Sequence, residues 1–215
     1  KLNHKEVGDC LSDFVGPLGR PTETEGLKKV CVVGGGVGCA IALPIAKELH
    51  AKGCEVTSII GFRSRDLVIL EDEFKAASKK FFMMTDDGSY GRQGNVCVPL
   101  NEMLAAGEKF DAVITIGPLI MMKFVCAATK PYGIKTIASM NPIMIDGTGM
   151  CGACRVTVGG RTRFTCVDGP EFDAHEVDFD EAMRRQGMYR TQEERARAIE
   201  KERENGHKCR VGLDK

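Results

Sequence analysis

Lys29-Val30-Cys31-Val32-Val33-Gly34-Gly35-Gly36-Val37-Gly38 passes from an unbroken apolar run directly into a loop built almost entirely of glycine. A short continuous apolar run reads as a strand buried on both faces, as in a parallel sheet. Residues 40–51 then carry apolar side chains at helical spacing, so the unit is strand, glycine loop, helix. Backbone N–H groups at a helix N-terminus favour an anion, and glycines let a phosphate approach closely. The run Gly34, Gly35, Gly36, Val37, Gly38 fits that geometry but not the G-x-G-x-x-G fingerprint. Counted from Gly34 its last position is Cys39, and counted from Gly36 it is Ile41. A tight strand-to-helix turn without a ligand is the competing reading.

The same alternation continues outward. Residues 55–60, 80–84, 111–116 and 136–140 read as strands, with helical patterns over 67–77, 98–106 and from Gly117-Pro118 through Lys130. Alternating strands and helices predict right-handed βαβ crossovers and a mostly parallel α/β sheet with helices on both faces. Ligands bind such sheets at the carboxyl ends of strands, so four loops are candidates together. They are Gly34–Gly38, Gly61–Arg65 with Arg63 and Arg65, Thr85–Ser89 with Asp86 and Asp87, and Gly117-Pro118. Arg63 and Arg65 suit an adenosine ribose or its phosphate; two solvated turn arginines are the alternative.

The chain has 215 residues, room for one α/β domain and a smaller appendage. Apolar residues make up 43% and charged residues 28%, and no apolar run reaches the ~20 residues of a membrane span. The 30 basic and 30 acidic residues balance, so no basic footprint for nucleic acid exists. Residues 1–9 lack the apolar centre of a secretory signal, which with ten cysteines points to a reducing, cytoplasmic setting. Opening on Lys1, and reaching Val15-Gly16-Pro17-Leu18-Gly19 soon after, the chain is expected to be a fragment or a processed form.

From Asn141 the texture changes to glycines between short β-branched pieces, too little for a core without help from a metal. Cys10, Cys31, Cys39, Cys54, Cys97, Cys126 and Cys209 are scattered, and those that fall within apolar strand or helix patterns read as small buried hydrophobes. Asp146, Cys151, Cys154 and Cys166 instead form D-x4-C-x2-C-x11-C. Plant-type two-iron clusters use C-x4-C-x2-C and a more distant Cys, so the spacing matches with aspartate first. A four-ligand zinc site is the alternative, and Asp146 as a mere turn cap a further one. Beyond Asp178 the chain is charged and helical, with Thr191-Gln192-Glu193-Glu194 a predicted helix start, and reads as a packing or subunit-contact element. The expected division is 1–28, 29–140, 141–178 and 179–215.

Taken together, Gly8 to Gly19, the Gly34–Gly38 loop, Thr85 to Gly91, Gly117-Pro118 and the Asp146–Cys166 loop resemble the ferredoxin-NADP reductase superfamily, specifically the electron-transfer subunit of dihydroorotate dehydrogenase and its relatives. Asp146 and the stretch Ser139–Met144 look more like the small subunit of NADH-dependent ferredoxin:NADP oxidoreductase, or sulfide dehydrogenase; dihydroorotate-type subunits have four cysteines. The resemblance covers essentially the whole chain. It implies an Asp-plus-three-Cys [2Fe-2S] cluster, a nicotinamide site on Gly34–Gly38, and FAD on an N-terminal barrel of which 1–28 would be the last segment. It further implies hydride exchange between NAD(H) and FAD and electron passage to a larger flavin/iron-sulfur subunit, with ferredoxin reached indirectly and the fragment inactive alone. NADP(H) stays open beside NAD(H), because Arg63 and Arg65 would accept a 2′-phosphate.

Overall fold

The computed structural model describes residues 4–204. Its strands are β1 (Lys29–Gly35), β2 (Glu55–Phe62), β3 (Lys80–Thr85), β4 (Arg92–Gln93), β5 (Ala112–Ile116), β6 (Lys135–Ser139), β7 (Arg155–Val158), β8 (Arg161–Phe164) and β9 (Glu171–Asp173). The helices are α1 (Gly38–Ala51), α2 (Glu71–Ala76), α3 (Cys97–Ala105), α4 (Leu119–Thr129), α5 (Thr165–Asp168), α6 (Phe179–Gln186) and α7 (Arg190–Glu204).

Seven strands form one sheet in the order β4-β3-β2-β1-β5-β6-β9, and β7 pairs with β8 in a separate hairpin. Every pairing in the large sheet is parallel except β6 with β9. Alternation along β1 shows why both faces must be covered. Val30 and Val32 pack with Ala42, Leu43 and Leu49 of α1 and Phe74 of α2, while Cys31 and Val33 pack with Leu100 and Leu104 of α3 and Val125 of α4. Successive strand residues point to opposite faces, so the continuous apolar run fills two cores at once.

The predicted helix over 67–77 is divided in the structure. A single 3-10 turn covers Arg65–Leu67, Leu70 takes φ 60, and the α-helix starts only at Glu71. Glu71, Asp72 and Glu73 fill its first turn, where the helix dipole favours negative charge. The predicted start at Thr191 is also displaced. Helix α7 begins at Arg190, and the capped start belongs to α6, where the Asp178 carboxylate accepts from the Glu181 N–H at 2.8 Å.

Beyond β6 the chain builds the β7–β8 hairpin, turned by Gly159-Gly160 with φ 56 and 71, and returns through β9 onto the edge of β6. A third apolar cluster joins Leu119, Met122 and Cys126 of α4 to Met140, Val156 of β7, and Phe179 and Ala182 of α6. Before β1, Arg20 N–H donates to the Gly169 carbonyl at 2.6 Å and the Thr22 hydroxyl to Glu171 at 2.8 Å, laying the N-terminal segment beside β9. Among the described residues no helix is long and apolar enough to cross a membrane.

Candidate functional site

Strand order fixes where a ligand can sit. From β1 the chain proceeds to β2, β3 and β4 on one side, then crosses to β5 and β6 on the other, so the topological switch lies between the carboxyl ends of β1 and β5. The loops there are Gly34–Gly38 and Gly117-Pro118, and they are in direct contact. A Cβ on Gly38 would lie 2.6 Å from the Ile116 carbonyl oxygen and 2.8 Å from Gly117 Cα; one on Gly117 would lie 3.1 Å from Gly35 Cα. Only glycine lets the first turn of α1 come this close to β5. Gly36, with φ 54 and open space around it, serves the turn itself. Val37 is exposed at the mouth of the loop, and Asn141 Nδ2 reaches the Gly117 carbonyl at 3.4 Å. Asn141 was not singled out from the sequence; its position just past the end of β6 is the signal that would have found it.

The loops after β2 and β3 are bonded to each other, the Arg65 N–H donating to the Ser89 hydroxyl at 2.9 Å. Asp86 and Asp87 N–H groups donate to the Phe62 and Arg63 carbonyls at 3.0 and 3.2 Å. The Asp87 carboxylate accepts from both the backbone and the hydroxyl of Ser89, which hold it below the usual carboxylate range. Asp87 is thus used to shape the loop, whereas Asp86 is exposed. The two arginines differ as well: Arg65 lies over the Tyr90 ring at 5.3 Å, while Arg63 is exposed at the strand end. Of the scattered cysteines, Cys31, Cys39, Cys54 and Cys126, which fall in strand or helix patterns, are buried and Cys97 half-buried, as expected; Cys10, outside such a pattern, is exposed, and Cys209 lies outside the described residues. Burial pushes the Cys39 thiol up to about 12, overriding the helix N-terminus beside it.

The second centre gathers Asp146, Cys151, Cys154 and Cys166. Cys154 and Cys166 are buried with their sulfurs 3.3 Å apart, one leading into β7 and the other in α5 at the end of β8, so the hairpin brings them together. Asp146 and Cys151 are paired through their loop: Asp146 Oδ2 accepts from Cys151 N–H at 2.8 Å and Oδ1 from Thr148 N–H at 2.8 Å. The bond from Thr148 leads in holding the Asp146 carboxyl below its ordinary range, so it is ionised at neutral pH. Among the described residues no three His, Cys, Asp or Glu side chains converge on a single point. The donors form two pairs, which suits two metal atoms bridged to each other better than one tetrahedral zinc. Burial, then the neighbouring Cys154, raises the Cys166 thiol; a cation between the sulfurs would reverse that and favour thiolates.

A parallel sheet with a glycine-lined switch point and an appended loop of paired acidic and thiol donors defines an iron-sulfur member of the ferredoxin-reductase-like proteins. Comparison with known proteins agrees. Residues 141–178 match the model for the iron-sulfur cluster binding domain of dihydroorotate dehydrogenase B. A Thermotoga maritima protein described as a dihydroorotate dehydrogenase B (NAD(+)) electron transfer subunit homolog is 48% identical over 90% of this chain and 68% of its own length. A Clostridium beijerinckii protein, uncharacterized and encoded in the adh 3′ region, is 51% identical over 93% of this chain and 70% of its own. A solved structure of the NADH-dependent reduced ferredoxin-NADP oxidoreductase, studied for flavin-based electron bifurcation, superimposes with a TM-score of 0.82 at 45% identity, covering 90% of this chain and 69% of that one. The chain belongs to the family of dihydroorotate dehydrogenase B electron-transfer subunits and their homologues.

Proposed function

We propose that this chain relays electrons between a nicotinamide nucleotide at the β1–β5 switch point, FAD and a [2Fe-2S] cluster on Asp146, Cys151, Cys154 and Cys166, and on to a larger flavin/iron-sulfur subunit of the ferredoxin:NADP oxidoreductase type, in the cytoplasm. The observation that carries this reading is the arrangement of four soft and hard donors as two pairs, with Cys154 and Cys166 sulfurs 3.3 Å apart. The segments are assigned as 1–28 leading in from the flavin region, 29–140 for nucleotide, 141–178 for the cluster and 179–215 for subunit contact.

In this reading Gly34, Gly35, Gly36, Val37 and Gly38 cradle the pyrophosphate, and Gly117-Pro118 forms the opposite wall. Arg63 pairs with the adenosine phosphate or ribose, while Asp86 and Asp87 complete the rim. When bound, the flavin supplies the conversion of two-electron to one-electron transfer and the cluster the one-electron exchange. The chain's own residues place these groups, set their electrostatic surroundings and exclude water; none is assigned to acid-base chemistry. The chain alone is expected to turn over no substrate.

Iron, acid-labile sulfide and EPR measurements on anaerobically prepared holoprotein test this, beside Asp146→Ala. About two irons and two sulfides per chain, with a spectrum altered by the substitution, support the assignment. Zinc without iron overturns it. A second reading, service to a dihydroorotate dehydrogenase, is favoured by the description of the Thermotoga maritima relative. Recovery of a dihydroorotate-oxidising subunit as the sole stable partner would decide for it.

A further inference from the structure

Between Cys151 and Cys154 stand only Gly152 and Ala153, and the carbonyl oxygens of both are held by arginines. Arg155 Nη1 donates to the Gly152 carbonyl at 3.1 Å, and Arg185 Nη2 donates to the Ala153 carbonyl at 3.3 Å. The first is local, from the start of β7. The second spans 32 positions, from the last turn of α6 to the loop. Both guanidinium groups border a cleft also lined by Pro142, Cys151, Ala153 and Tyr189.

Peptide planarity gives these bonds a consequence beyond tethering. In a trans peptide the C=O and the following N–H point in opposite directions, so fixing one fixes the other. Holding the Gly152 carbonyl outward turns the Ala153 N–H inward, where it meets Cys151 Sγ at 3.4 Å. Holding the Ala153 carbonyl toward α6 likewise turns the Cys154 N–H to the opposite side. Two of the three peptides between the two ligands are thus oriented from outside by a cationic side chain. Hydrogen bonds to cluster sulfurs and nearby positive charge each favour the reduced, more negative state.

On the cluster reading above, we propose that Arg155 and Arg185 are positioning residues that raise the reduction potential of the cluster, by orienting the Cys151–Cys154 peptides and by their charge. Arg185 carries the longer-range part, making α6 a component of the redox centre.

The test is a redox titration of the anaerobic holoprotein, following the visible and EPR signals of the cluster, with iron and sulfide content measured on every sample. Arg185→Gln keeps a donor but removes the charge; Arg185→Lys keeps the charge without the planar fork. A charge at such a partly exposed position, with an effective dielectric between the surface value of about 20 and the water value of about 80, is worth about threefold to tenfold in the ratio of reduced to oxidised cluster. Tenfold in a one-electron couple is 59 mV, and Arg185→Gln should shift the midpoint downward by up to that amount. Arg185→Lys should fall between it and the unmodified protein, and Arg155→Gln should shift in the same direction. A fully loaded Arg185→Gln with an unchanged midpoint overturns the inference and leaves the cluster assignment standing. Loss of iron from both Gln variants makes the arginines scaffold only and also overturns it. Absence of iron from the unmodified holoprotein refutes the underlying cluster reading instead.

Discussion

Gly38→Ala places one methyl group where α1 meets β5. The new Cβ would lie 2.6 Å from the Ile116 carbonyl oxygen and 2.8 Å from Gly117 Cα, whereas ordinary contact begins at 3.4 Å. The two segments must therefore part by about 0.8 Å, and because both obstacles are backbone atoms no side-chain rotation relieves the clash. Overpacking of this kind costs about 1–3 kcal/mol, against which alanine returns up to about 1 kcal/mol of helix propensity. A net loss of about 1–2 kcal/mol is expected, a fall in Tm of about 2–8 °C for a chain of this size. If the strain is relieved by displacement of the loop, bound nucleotide must restore it, weakening affinity by about five- to thirtyfold. Calorimetric titration of holoprotein with NADH or NADPH, beside a thermal melt, measures both effects. Gly36→Ala is the companion: its Cβ meets nothing within 4 Å, and its cost is the left-handed φ of 54, about 1–2 kcal/mol. Gly38→Ala with unchanged stability and affinity would refute the close-approach argument and with it the assignment of this loop.

Other consequences follow from single side chains. Phe74→Ala removes the fully buried residue of α2 and should cost about 3–5 kcal/mol in denaturant unfolding, with nucleotide affinity in the folded protein changed little. Glu171 has its carboxyl raised, chiefly by burial, so its contribution to stability is fully present below the unfolded pKa of about 4.3 and is lost as pH rises through the folded value. Glu171→Gln, which can still accept from Thr22, should raise Tm at pH 7–8 and flatten its pH dependence; an unchanged profile would count against a buried charge there. Glu108 is the opposite case, lowered first by Lys80 and then by Lys29. Its contribution is present above about pH 4.3 and lost as pH falls through the lowered value, so Glu108→Gln should make acid unfolding shallower.

The parallel sheet was legible because its strands are coded locally: continuous runs such as residues 29–33 and 111–116 have no other place than between two helical layers. The grouping of Asp146 with Cys151 was legible because only four residues separate them, whereas the approach of Cys154 to Cys166 depends on the hairpin between them. What escaped lies in pairings between distant segments. β9 has only three residues, Glu171–Asp173, too few for a periodic signal, and its strand character comes from β6 offering an open edge. The two-residue β4 exists for the same reason beside β3. Arg185 looked like one more charge on a polar helix; its bond to Ala153 depends on the packing of Phe179 and Ala182 against α4 and β7, which no local pattern reveals.

That short return strand has a practical bearing on dissection of the molecule. A chain ended after Met140 would leave β6 as a bare edge, its outward N–H and C=O groups open to pairing with another copy. It would also uncover Leu119, Met122 and Ala138, which now lie against Ala174, Phe179 and Ala182. The segment through Met140 prepared in isolation should self-associate, whereas one extended through α6 keeps its edge closed and its apolar surface covered, so the large sheet and the segment that follows β6 are expected to unfold in a single transition.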